Sequence, residues 1–320
     1  MSSRLRAYAI VAACAAAAAG LTVGVTLATR TMPPERKGAR QGMPPLVLDF
    51  GVRTDPEAVA LRRAAGLYEK GQPSLAEPIF ARYHSVEAEV GSALAGWPDG
   101  FSKLQGLVAT FPHRSVVQLN YGLALFWRGD EAGAKAAWRS ARRREPDTPY
   151  ALRAEDLLYP NFPRGLPTFL PSFRAPAALD RLSPPKQLAY LERLARTGGV
   201  RARLLYGVAL QRLGRQLSAL HEYEQAARLA PGEPEPKVAV TVARFDKAAP
   251  SRTFSLLGPL ARKYPKSQSV RFHLGLSLLW LGSVDEAKRQ LRVARSLGAR
   301  TELGREAQAF LSKLKSIGTR

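Results

Sequence analysis

The sequence predicts an all-α chain: helical hairpins stacked into a solenoid, preceded by one apolar membrane-type helix. Three observations carry this. Glycine, alanine, aromatic and proline residues recur at fixed spacings with a period of 34. Prolines and glycines break the rest of the chain into helix-length pieces. An uncharged run opens the sequence. The 320 residues are 46% hydrophobic and 23% charged, which excludes wholesale disorder. The single cysteine, Cys14, excludes a disulfide framework and a thiolate metal cluster.

Residues 7–29 carry no charge. As a helix this run spans roughly 34 Å, enough for a hydrocarbon core of about 30 Å. Arg4 and Arg6 precede it, and Arg30, Arg36, Lys37 and Arg40 come after it. Residues 1–6 are thus a basic flank. Three fates of the run remain open. It can stay as an anchor, be cleaved after a small-residue site, or be lipidated at Cys14 in Val11-Ala12-Ala13-Cys14. Its length favours the retained anchor, and lipidation would want a polar tether after the cysteine. The flanking charges do not fix the orientation. A short basic N-terminus before an apolar run usually sends the downstream chain across the membrane, which favours repeats outside the cytoplasm, at a bacterial plasma membrane.

Residues 30–53 read as a tether. Met32-Pro33-Pro34 and Met43-Pro44-Pro45 extend it, Gly38 and Gly42 loosen it, and Leu46-Val47-Leu48 is short enough to dock on the first helices. Thr54-Asp55-Pro56-Glu57 then signals a helix start: a capping side chain, an early proline and a first-turn acid.

The repeats occupy 54–320. One series is Gly122, Gly129, Ala134, Trp138, Ala141 and Pro146; a second is Gly207, Gly214, Ala219, Tyr223, Ala226 and Pro231; a third is Gly275, Gly282, Ala287, Leu291 and Ala294. Offsets within the series are identical. The first Gly and the Ala suit a close helix crossing, the second Gly a tight turn, and the Pro the end of the second helix. The aromatic is expected to fill space beside the next repeat. This pattern resembles the tetratricopeptide repeat family, over most of 55–317. It gives repeats at 81–114 (degenerate), 115–148, 200–233, 234–267 and 268–301, an earlier hairpin at about 55–80 turning at Gly71, and a capping helix at about 302–317. In the 234–267 unit Thr241 stands where the glycine belongs.

The phase breaks between 149 and 199. Short helices at 149–158 and 183–196 flank a proline-rich insert at about 159–182. Its Phe162, Phe169, Leu170 and Phe173 predict an ordered segment lying across apolar helix positions such as Phe126, Trp127 or Leu204.

The resemblance implies that the first helix of each hairpin lines a concave face. It places Leu119, Leu123, Phe126, Trp127, Arg201, Leu204, Arg212, Phe272, Leu276 and Trp280 there as candidate partner-binding residues. Gln211 and Glu235 fall on the same face. The Lys and Asn clamp with which some relatives hold a peptide's terminal carboxylate is missing, because the fifth and ninth positions are apolar. An apolar groove rimmed by Arg201 and Arg212 fits a hydrophobic or amphipathic segment, unless the insert or a neighbouring helix covers it.

Catalytic signatures are absent. His84, His113, His221 and His273 lack metal-ligand spacing and read as surface or edge packing. Ser183-Pro-Pro-Lys186 reads as a helix cap and Ser312-Lys-Leu-Lys315 as a polar helix face. Arg142-Arg143-Arg144 complements a helix C-terminus. The expected function is therefore a non-enzymatic, membrane-anchored scaffold for a protein or peptide, with no cofactor. The net charge of +22 supports an alternative. Residues 1–53 hold seven basic and two acidic residues, a net +5, which leaves +17 on the remainder. Such a surface favours anionic lipid or envelope polymer; nucleic acid is not expected.

Overall fold

A computed structural model describes residues 39–317; the expected anchor at 7–29 lies outside the described residues. Among the described residues there are fifteen α-helices and one 3-10 turn, with no strand, and no helix is long and apolar enough to cross a membrane. They divide into two compact units, the described parts of Met32–Leu158 and of Tyr159–Arg320. The division falls where the 34-residue phase breaks.

The first unit holds α1 (Pro56–Glu69), α2 (Pro73–Phe80), α3 (Val86–Ala95), α4 (Phe101–Thr110), α5 (Ser115–Trp127), α6 (Glu131–Arg144) and α7 (Pro149–Leu158). Asp55 caps α1 by accepting the Ala58 N–H at 3.0 Å. Its hydrogen bond from Arg53, with that cap, holds the carboxyl down at about 2. Gly71 turns α1 into α2 at φ +75°.

The second unit holds a 3-10 turn (Ala177–Arg181), α8 (Pro184–Thr197), α9 (Val200–Arg212), α10 (Gln216–Leu229), α11 (Pro234–Ala243), α12 (Ser251–Lys263), α13 (Gln268–Trp280), α14 (Val284–Ser296) and α15 (Glu302–Ile317). Helix α15 places Leu303, Ala307, Phe310, Leu311 and Leu314 in the core against α13 and α14. Within each unit every helix from α1 to α7 and from α8 to α15 packs on its successor, the quasi-one-dimensional pattern of stacked hairpins.

Three hairpins repeat in detail: α5–α6, α9–α10 and α13–α14. Their turns are Gly129, Gly214 and Gly282, at φ +89°, +71° and +74°, a region open to glycine at little steric cost. The residue at +16, Trp138, Tyr223 or Leu291, lies on the glycine of its own hairpin. A Cβ on Gly207 would come within 2.3 Å of the Tyr223 ring. The missing side chain is therefore the space the ring occupies. In the 234–267 unit Thr241 instead donates its hydroxyl to the Lys237 carbonyl at 2.8 Å.

Candidate functional site: two helix faces, each holding an extended segment

In both units a stretch of extended chain lies along the A helices, the first helices of the hairpins. In the first unit it is residues 40–50. Arg40 starts it at the C-terminal end of α5. Its N–H donates to the Trp127 carbonyl at 2.7 Å, its guanidinium donates to the Phe126 carbonyl, and it lies 3.5 Å over the Phe126 ring. The Trp127 indole donates to the carbonyls of Gln41 and Gly42 at 3.2 and 3.1 Å. Further along, the Tyr68 hydroxyl donates to the Pro44 carbonyl at 2.6 Å.

Asn120 then clamps Val47 from both sides. Its Oδ1 accepts the Val47 N–H and its Nδ2 donates to the Val47 carbonyl, each at 2.9 Å. A side-chain amide has the donor and acceptor of a peptide group, so it serves as a one-residue strand partner. Tyr150 on α7 repeats the arrangement with one hydroxyl, accepting from the Asp49 N–H at 3.1 Å and donating to its carbonyl at 3.0 Å. Burial raises the pKa of the Tyr68 and Tyr150 hydroxyls, which keeps both as donors. Leu46 and Phe50 enter the same core as Leu119 and Leu123.

In the second unit the proline-rich insert plays this part. Lys247, almost fully buried, donates to the Pro163 carbonyl at 3.0 Å. Phe162 meets Phe245 edge-on. Phe169 is fully buried, between the Tyr223 ring at 5.5 Å and the His273 ring at 5.1 Å, the latter stacked. Gln211 accepts the Phe169 N–H at 3.1 Å and donates to the Pro167 carbonyl at 3.2 Å, while the Tyr223 hydroxyl donates to its Oε1. Ser172 donates through both its N–H and its hydroxyl to the Glu235 carboxylate. Burial is the main cause that raises the Glu235 pKa, and the Ser172 bonds oppose it.

His273 is neither surface nor edge packing, as the sequence suggested, but a buried acceptor. Its Nδ1 lies 2.7 Å from the Ser269 carbonyl. That contact assigns the proton to Nδ1 and leaves the Nε2 lone pair for the Leu170 N–H at 2.9 Å. Burial lowers its pKa to about 4.

The sequence-derived candidates are therefore placed in these positions. Leu119, Leu123, Leu204, Phe272, Leu276 and Trp280 are buried. Phe126 and Trp127 are half-buried and held by Arg40, Gln41 and Gly42. Leu204 shares a core with Phe169. Phe272 turns toward the cap and meets Phe310 edge-on at 6.1 Å. Arg201 is exposed and lies 5.2 Å over the Phe173 ring, and Arg212 is half-buried. The insert thus lies across Gln211, Tyr223 and His273, whereas residues 40–42 cover Phe126 and Trp127. Of the residues that grip main chain, Trp127, Gln211 and Glu235 had been placed on this face, whereas Asn120, Tyr68, Tyr150 and His273 were not among the candidates. Their only sequence signal is a polar group on an otherwise apolar helix face. Among the described residues no group of three or more His, Cys, Asp or Glu could hold a metal ion.

No protein-family model matches the chain, and no curated protein matches it. Solved structures similar to it include tetratricopeptide repeat proteins. YrrB, described as having an unusual peptide-binding site, is 12% identical, with 64% of this chain and 97% of that one covered at a TM-score of 0.31. A repeat protein from Parabacteroides merdae is 12% identical, with 81% and 98% covered at 0.34. TTC0263 from Thermus thermophilus is 17% identical, with 70% and 99% covered at 0.25. Likeness at this level does not extend to a ligand or a partner.

Proposed function

We propose that the chain is a non-catalytic helical-repeat scaffold that binds a protein partner, anchored at a bacterial plasma membrane by residues 7–29, with its repeats outside the cytoplasm. The observation that carries the binding role is the use of the A-helix faces. Each holds an extended peptide through side chains bonded to main chain, with a pocket for a large apolar residue. Main-chain bonds supply affinity with little regard to sequence, and pockets for side chains supply selectivity. Anchoring is supported by the uncharged run of residues 7–29.

Two measurements on the full chain test this. Proximity labelling in the native cell should enrich a defined set of proteins over a control bearing residues 1–38 alone; labelling equal to the control refutes the scaffold. The full chain should stay in the membrane fraction through a carbonate wash, while a chain beginning at Ala39 is released. Recovery of mature protein beginning at or after Thr29 refutes the retained anchor.

A further inference from the structure

The two extended segments are held in the same way. Pro44-Pro45-Leu46-Val47-Leu48-Asp49-Phe50 aligns without gaps on Pro167-Thr168-Phe169-Leu170-Pro171-Ser172-Phe173. Both have Pro first, a buried large apolar residue third, an aliphatic fourth, Asp or Ser sixth and Phe seventh. Three of their main-chain hydrogen bonds fall at the same places. The first carbonyl accepts, from Tyr68 or from Gln211. The fourth N–H donates at 2.9 Å, to Asn120 or to His273. The sixth N–H donates, to Tyr150 or to Glu235.

Asn120 and His273 occupy one repeat position, two residues before Gly122 and Gly275. Tyr150 and Glu235 are each the second residue of their helix, α7 and α11. Each segment also runs antiparallel to the A helices, from their C-terminal side at Trp127 or at Lys247 just past α11 to their N-terminal ends at Tyr150 or Glu235. Different side chains thus read the same main-chain pattern twice, which marks the face as a reader of that pattern. Among the described residues the first unit's segment joins its helices only through the turn at 51–55, so it can leave the groove without breaking a described helix. The second unit's segment is continuous with structure at both ends.

We propose that the first unit's groove accepts, in place of residues 44–50, an extended segment of a partner protein with the pattern Pro-x-Φ-Φ-x-[Asp/Ser]-Phe, Φ being a large apolar residue. Residues 44–50 are then a built-in competitor. The inference rests on the scaffold reading and names the chemistry of its partner. A tethered competitor acts at an effective concentration on the order of millimolar, so a free peptide meets a nearly closed groove in the intact protein.

The test uses the full chain in detergent, with a site-specific protease sequence replacing residues 51–53, and a fluorescent peptide copied from residues 39–53. Before cutting, uptake should be weak. After cutting, apparent affinity should rise by at least about tenfold. An unlabelled peptide of residues 165–175 should compete, and the 39–53 peptide carrying Leu46→Asp should not. Asn120→Leu should abolish uptake. In a second variant, Leu46→Asp with Phe50→Asp in the uncut chain, the wild-type peptide should again bind at least about tenfold more tightly than to the intact protein. Absence of uptake in either form while its helical circular dichroism is retained overturns the proposal. So does uptake indifferent to Leu46→Asp, or failure of the 165–175 peptide to compete. Purified protein answers this independently of whether cellular labelling finds a partner.

Discussion

Acidification should weaken the second unit through His273. The imidazole is fully buried beside Phe169 and Phe272, with Nδ1 on the Ser269 carbonyl and Nε2 accepting from Leu170. Protonating Nε2 would point an N–H at an N–H inside an apolar core. The native pKa is about 4, against an ordinary value of 6.5. Between these values the unfolded chain binds a proton that the folded chain refuses. Stability contributed by the neutral ring is therefore complete above about pH 7 and is lost as pH falls toward 4. Going from pH 7.5 to 4.5, the linkage amounts to about 2.5 kcal/mol. Glu235 works the other way: its raised pKa favours the folded state as pH falls, so the net slope is shallower than His273 alone would give. Urea unfolding at a series of pH values, tracked by circular dichroism, measures the slope. In Glu235→Gln the loss on acidification should steepen, and in His273→Gln most of it should vanish. An unchanged slope in His273→Gln, or a His273 ring titrating near pH 6.5 by NMR, would refute the burial argument.

Phe169→Ala should cost about 3–5 kcal/mol, the range for emptying a buried phenylalanine site. Hydrogen exchange should then speed up across 163–173 before it does in α14; a loss under about 1 kcal/mol would mean that the insert only rests on the surface. Gly207→Leu should destabilise by about 1–3 kcal/mol, because the new side chain must displace the Tyr223 ring. An unchanged melting temperature would refute the packing account of the 34-residue pattern.

The glycines show what was legible in the sequence. Gly122, Gly207 and Gly275 announce their hairpins because a close crossing and a tight turn admit few residue types, and the constraint lies within a single repeat. Asp55 before Pro56 announces the start of α1 for the same local reason. The insert's rings likewise declared themselves, since three phenylalanines among prolines are costly to leave in water. Asn120 and His273 declared nothing. A polar residue on a helix reads equally as a solvated face, a local bond or a buried clamp, and what separates these is the main chain that lies against it. Val47 is 73 residues from Asn120, and Leu170 is 103 from His273. Local propensity and periodicity dictated the helices, their turns and their apolar stripes. Only the tertiary structure decided which segment covers each stripe, because that choice rests on matching donors and acceptors across distances at which no period operates.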